Sequence, residues 1–479
     1  MLFNSLQYLL FFPAVFLLYW VVFKKSTRLQ NIMLLLASYY FYGCWDWRFL
    51  FLLGFSTLLD YSSGIMIHHA SSRERKKLWL ILSVCINLGF LGFFKYYNFF
   101  VESFAELLLR FGFEPNYGTL NVILPVGISF YTFHGLSYVF DIYNDKIKPT
   151  YNLVNYTLFV SFFPLLVAGP IERATHLLPQ LERKRSFNYL KAVDGLKQIL
   201  WGFFKKIVIA DNCAVIVNQM FDDPTSQPAS NLLIGAIFFA FQIYGDFSGY
   251  SDIALGSARL LGIELLKNFN FPYFSRDIAE FWRRWHISLS SWFKDYLYIP
   301  LGGSQVGIWK RVRNTFIIFI VSGFWHGANW TFIIWGALNA LFIMPSIIFK
   351  TNRRNLDVVA QGRFLPGWKE AGQVLLTFCL TTIAWVFFRA ESLTHALQYL
   401  SALINISIVS FPTIRVYKEA VLILFFLIIE WFGRENNYGI EKILGNQSRI
   451  LRWTFYAVII FLIGMFMHTG GSEFIYFQF

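Results

Sequence analysis

Apolar runs of up to about twenty residues recur along this chain from one end to the other. As a helix, such a run crosses a hydrocarbon core of about 30 Å. The first runs from Leu6 to Phe23. Further candidates lie at Ile32 to Gly43, Phe49 to Ile67, Leu78 to Phe100, Val122 to Phe140 and Leu153 to Ala168. Beyond the middle they continue at Leu232 to Gly249, Trp330 to Ile348, Val374 to Phe388, Val421 to Trp431 and Trp453 to Met467. Several are short or interrupted by Gly, Pro or Asp, and these are expected to tilt, to re-enter the membrane or to lie between other helices. Irregular backbone at membrane depth survives only where protein or a water cavity covers it. The expected fold is an all-α polytopic membrane protein of roughly 10 to 12 transmembrane or re-entrant helices.

Composition agrees: 56% of residues are hydrophobic, 20% aromatic and only 14% charged, a balance that soluble domains seldom show. No Lys or Arg precedes Leu6 to Phe23 and no small-residue cleavage site follows it, so this run reads as a retained helix and not a signal peptide. The net charge of +13 is ordinary for a membrane protein whose Lys and Arg gather in cytoplasmic loops, and nucleic-acid binding is the weaker reading. Basic loops at Lys24 to Arg28 and Arg73 to Lys77, with none ahead of Leu6, place the N-terminus outside. Cys44, Cys85, Cys213 and Cys379 are scattered without CxxC spacing, which indicates neither a metal knot nor a disulfide framework.

There is no long polar linker, low-complexity block or internal repeat, so 1–479 reads as a single membrane domain. Its chemistry is expected within a core of approximately 120–350, because charges crowd with prolines and glycines from about Glu172 to Arg185 and from Arg276 to Arg313. Lipid-facing helices do not tolerate that.

Arg276 to Tyr296 packs cations, carboxylates, tryptophans and His286 together. On composition alone this is an interfacial amphipathic helix with snorkelling cations. Val321 to Phe332 places His326 inside a long apolar stretch from Phe316 to Ile348. An ionisable residue at that depth needs a partner or a water-filled cavity and marks functional paths more often than not. Gly323 and Gly327 either let the backbone bend or another group approach His326 closely, or serve tight helix packing; periodicity leaves the two readings nearly level. Asp246 and Asp252, in Gln242 to Asp252, are expected to pair with cations or backbone amides in a buried polar network and not to act as bases. His134 reads as a core histidine. His68, His69, His176, His395 and His468 lie at loops or span edges without ligand spacing, and there is no HExxH. GxSxG, Walker and dinucleotide patterns are also absent, which removes those hydrolase and NTPase readings. From about Thr351 to Arg415 nothing is diagnostic.

The RWHxSLSxW stretch from Arg284 to Trp292 and the WHGxxW stretch from Trp325 to Trp330 together resemble the two signatures of bacterial membrane-bound O-acyltransferases. Ile128 to Tyr138, Tyr244 to Asp252 and the closing Phe474 to Phe479 are similar to the branch containing the membrane subunit of alginate O-acetyltransferase. The resemblance implies helices around a central funnel. It also implies His326 as the catalytic residue and His286 as a second important position.

Acyl transfer from a thioester to a hydroxyl needs a base, and an imidazole with an ordinary pKa near 6.5 suits that role. His326 is assigned it. His286 is expected to orient a substrate or stabilise the oxyanion, with Asn329 and the indoles of Trp285 or Trp325 as further donors. The resemblance implies acetyl-CoA as donor substrate, with no permanently bound cofactor and no metal. Arg283, Arg284 and Lys294, with Arg276, Lys310, Arg311 and Arg313, are expected either to attract its phosphates or only to mark cytoplasmic topology. It further implies the bacterial inner membrane, a polysaccharide acceptor and an extracytoplasmic partner acyltransferase resembling SGNH hydrolases. Rival readings are D-alanyl transfer from a carrier protein to teichoic acid, a transporter or flippase, and a structural scaffold. The closing FIYFQF favours acetylation.

Overall fold

A computed structural model describes residues 1–479 apart from 121, 167–168, 405–410, 446, 468–473 and 476–479. Among the described residues every regular element is a helix, and six are long and apolar enough to cross a membrane. His468 and the last four residues of the closing motif lie outside the described residues. The chain divides into two compact units. The first comprises 1–188 with 258–265, and the second 189–257 with 266–479.

The first unit is built on α1 (Thr27–Asp46), α2 (Phe49–His69), α3 (Arg73–Leu91) and α4 (Ile128–Tyr143). Ser26 and Ser72 cap α1 and α3, accepting from the amides of Leu29 and Arg75. Two sequence expectations are corrected here. The run from Val122 is not helical until Ile128, because Pro125 lacks an amide hydrogen and Gly127 takes a left-handed conformation at φ 75°. The run from Leu153 breaks at Phe162 into Leu153–Ser161 and Phe163–Leu166, where Pro164 would clash with the carbonyl of Val160 in a continuous helix. His134 is buried on α4, its ring 5.8 Å from that of Phe159.

In the second unit, α5 (Tyr189–Phe203) widens into π-type turns over Phe204–Ala210. Its neighbour α6 (Ala229–Leu260) is far longer than the Leu232 to Gly249 run and mostly buried. The wide turns carry Lys205 and Lys206 into the interior. Lys205 Nζ lies 2.6 Å from Asp252, and Lys206 Nζ lies 2.7 Å from Asp246 and 2.9 Å from Asp211. Asp246 also accepts from the Ile475 amide at 2.7 Å. The two α6 carboxylates are therefore paired as expected, which burial in a low-dielectric interior requires.

Beyond α6 come the short α7 (Ile278–Arg284) and α8 (Ile287–Phe293), then α9 (Ile308–His326) and α10 (Trp330–Ile348). The unit closes with α11 (Trp368–Arg389), α12 (Tyr417–Gly433) and α13 (Arg449–Phe466). The apolar stretch from Phe316 to Ile348 is thus not one span. It is a hairpin of two 19-residue helices folded back at Gly327 to Asn329. Gly323 decides how tightly the hairpin closes, since a Cβ there would overlap the carbonyl of Phe332. At Gly327 the missing Cβ leaves room for the Phe332 ring. Close packing is thus the reading that holds at Gly323, whereas the extended Gly327 is where the helix ends and the backbone bends.

Candidate active site

His326 is the last residue of α9, and the extended Gly327 ends the helix there. Helix α10 restarts at Asn329, whose Oδ1 accepts from the Thr331 amide at 3.0 Å as an N-cap. The hairpin turn therefore sets the imidazole at a helix end and not along a lipid-facing side. It is buried, with its ring 4.9 Å from Trp325, 5.1 Å from Trp335 and 5.4 Å from Phe388.

His286 reaches the same place from a different element. Asp277 caps α7 by accepting from the Glu280 amide at 2.7 Å, and α7 ends at Arg284. Trp285 is extended, and His286 takes φ 42°, ψ 54° before α8 begins. For a residue with a Cβ, a left-handed conformation costs about 1–2 kcal/mol, so surrounding contacts must hold it. They come from Asn268 to Asn270 alongside. The Ile287 amide donates to the Asn268 carbonyl at 2.8 Å, the Asn270 amide to the Arg284 carbonyl at 2.9 Å, and Ser288 Oγ to Asn268 Oδ1 at 2.6 Å.

The kink turns the His286 imidazole toward His326, with ring centroids 6.3 Å apart. It lies 6.1 Å from Trp325 and packs edge-on against Phe247 of α6 at 4.7 Å. His286 is fully buried, yet neither ring nitrogen has a hydrogen-bond partner among the described residues. A buried polar group left open in this way calls for a functional explanation. Two imidazoles facing each other in an aromatic box offer one: a place where a hydroxyl or a carbonyl oxygen meets both a base and a donor.

Other expected residues are placed differently. Trp285 points into the box wall, 4.9 Å from Trp385 and 5.1 Å from Phe269. Trp325 stands against both histidines. Asn329 is spent on structure, because its Nδ2 donates to the Glu391 carbonyl at 2.8 Å while its oxygen caps α10. Replacing Asn329 with Ala is expected to cost about 1 kcal/mol of stability and to slow acyl transfer less than about tenfold. Loss of an oxyanion donor would cost about 10²–10³. Thermal midpoints and turnover of the purified variant separate the two roles.

Arg276 and Arg284 hold Glu280 between them, at 3.1 and 2.8 Å. Arg276 Nη2 also reaches Asp357 at 2.9 Å, and its guanidinium holds that carboxyl below the usual carboxylate range. Arg283 donates to the carbonyls of Asn352 and Asn355 at 2.6 and 2.7 Å. Lys294 is exposed beside Asp295 at 3.5 Å. Trp335, Trp385 and Phe388 complete the site but carry no sequence motif, each being an aromatic residue in an apolar run. Glu280 and Phe247 lie inside the Arg276 to Tyr296 and Tyr244 to Asp252 segments, but nothing local marks them within those segments, and only the fold brings all five together.

At the hairpin turn an open cleft of about 650 Å³ adjoins His326 through Gly327. Asn218, Asp222, Asn329, Phe332, Arg389 and Glu391 line it. The described residues contain no cluster of three or more His, Cys, Asp or Glu able to hold a metal.

Comparison with known proteins matches residues 126–390, which include both histidines, to the membrane-bound O-acyltransferase family. A probable alginate O-acetylase of Pseudomonas aeruginosa is 39% identical over 92% of this chain and 82% of its own length. One from Pseudomonas putida is 36% identical, with all of both chains covered. A peptidoglycan O-acetyltransferase of Helicobacter pylori is 37% identical over 86% of this chain and 81% of its own.

Proposed function

The chain belongs to the membrane-bound O-acyltransferase family, and from that premise we propose that this multi-pass membrane O-acyltransferase moves an acetyl group from cytoplasmic acetyl-CoA across the membrane, for O-acetylation of an exported or cell-envelope polysaccharide. The observation that carries this reading is the pair of buried imidazoles 6.3 Å apart beside a polar cleft.

Sidedness supports it. The connection between α10 and α11 carries Lys350, Arg353, Arg354 and Arg363, α11 has Lys369 in its first turn, and α9 starts with Lys310, Arg311 and Arg313. That end of the hairpin is cytoplasmic by its charge. The cleft opens at the other end, about 28 Å along a 19-residue helix. A donor reaching the histidines from the basic end and an acceptor entering by the cleft would meet at the box.

In this mechanism His326 removes the acceptor hydroxyl proton as the oxygen attacks the thioester carbonyl carbon. His286 donates to the carbonyl oxygen as negative charge builds there. The carbon–sulfur bond then breaks, and the thiolate takes the proton from His326 and leaves as the thiol. The aromatic walls keep water from the thioester and strengthen both hydrogen bonds. The acceptor is the glycan itself or a hydroxyl of an extracytoplasmic, SGNH-hydrolase-like partner acyltransferase that passes the group on.

Cells lacking the protein, complemented with wild type, are expected to restore base-labile acetate on their exported glycan, identified by chromatography after mild alkaline release. Release of D-alanine in place of acetate would move the assignment to aminoacyl transfer. Unchanged glycan esters in the deletion would remove the polysaccharide reading altogether.

A further inference from the structure

The arginines beside His286 are not free to hold a donor. Arg276, Arg283 and Arg284 are committed to the segment that follows α10. Arg283 brackets it at the carbonyls of Asn352 and Asn355, and Arg284 and Arg276 each donate to the Asp357 carbonyl, at 2.9 and 2.8 Å. Asn355 Nδ2 returns a bond to Asp277 Oδ2 at 2.6 Å. A stretch without any sequence motif is thereby fixed against the helix that leads to His286.

Between the two bracketed carbonyls lie Arg353 and Arg354. Both are exposed, as is Lys350 just before them, and none of the three forms an ion pair among the described residues. The Arg354 amide donates to the Thr351 carbonyl at 2.9 Å, which closes the segment into a turn. The nearest carboxylate in sequence, Asp357, is taken by Arg276. The turn therefore carries three uncompensated cations on a backbone that is already ordered, so an anion bound there does not have to order the loop.

We propose that the turn from Lys350 to Arg354 binds the phosphates of the nucleotide part of acetyl-CoA, with Arg276, Arg283 and Arg284 as the brackets that hold this turn against the helix that leads to His286. This rests on acetyl-CoA being the donor. Arg353 and Arg354 offer bidentate forks to phosphate, and Lys350 a point charge. Anionic lipid headgroups share that phosphate chemistry, so the test must tell a soluble donor from a membrane.

The test compares acetyl-CoA with acetyl-pantetheine, which has the same thioester and no phosphate, using purified full-length protein in phosphatidylcholine vesicles. Arg353→Gln/Arg354→Gln is expected to raise KM for acetyl-CoA by about tenfold or more, leave kcat unchanged and leave acetyl-pantetheine turnover unchanged. Arg353→Lys/Arg354→Lys is expected to recover most of the loss. Equal loss with both donors, or no loss with either, overturns the proposal. So does a loss that appears only in phosphatidylglycerol vesicles, which would assign the turn to lipid. If wild type transfers acetyl from acetyl-pantetheine but never from acetyl-CoA, the donor assignment itself fails, whatever the variants do.

Discussion

His326→Gln is expected to lower acyl transfer by about 10²–10⁴-fold, the range that a positioned general base contributes, while the protein still accumulates in the membrane. Glutamine approximates the imidazole in volume and can donate a hydrogen bond, but it cannot accept and hold a proton. That isolates the basic nitrogen from the packing of the ring. His326→Ala is the harsher comparison, because it opens a cavity among Trp325, Trp335 and Phe388 and cavities of that size cost stability of their own. Both variants should be equally inactive, with only Ala showing a clear drop in thermal midpoint. Turnover of His326→Gln within about tenfold of wild type would make His326 a packing residue. His286 would then be the remaining candidate for the base.

Much of this was legible in the chain, for identifiable reasons. Trp330 to Ile348 is a helix with the same bounds in sequence and structure because its Asn329 cap and uniform apolarity agree. Asp246 and Asp252 had to be paired because isolated carboxylates are too costly at that depth. Helix α9 was hidden because its first turns, Lys310 to Asn314, are polar and its apolar half runs on into α10. The break at Gly327 shows only as a glycine beside a capping residue.

Other features depend on separations that no local pattern records. The 6.3 Å between the two histidines needs both the hairpin turn and the left-handed His286, and nothing in Trp-His-Ile announces a positive φ. The basic residues around His286 were legible as cations but not as occupied ones. Their partners at Asn352, Asn355 and Asp357 lie about seventy to eighty positions further along. The Thr351 to Asp357 segment illustrates the converse: it carries no motif, and what gives it interest is what it is tied to.

Glu280 is where those ties converge, and its loss should affect the fold more than any other single change near the site. The carboxylate is almost completely buried, with Arg276 at 3.1 Å and Arg284 at 2.8 Å. It also accepts from the Arg276 amide at 2.8 Å. Glu280→Ala removes the shared counter-charge and leaves two buried guanidiniums facing each other, a defect worth about 3–5 kcal/mol when one partner of a buried pair is deleted. Asp357 offsets part of this for Arg276, but for Arg284 only carbonyl oxygens remain. Against a total stability of about 5–15 kcal/mol, Glu280→Ala should accumulate poorly and unfold many degrees below wild type. Glu280→Gln, which keeps an acceptor oxygen, should fall between. Replacing all three residues together, Arg276→Met, Glu280→Leu and Arg284→Met, removes the buried charges along with their desolvation cost. That variant should regain thermal stability, yet it should remain a poor acyltransferase, because the segment at Asp357 has lost two of its brackets. A triple variant that regains both stability and turnover would mean that this network holds the fold alone and contributes nothing to how the donor reaches His286.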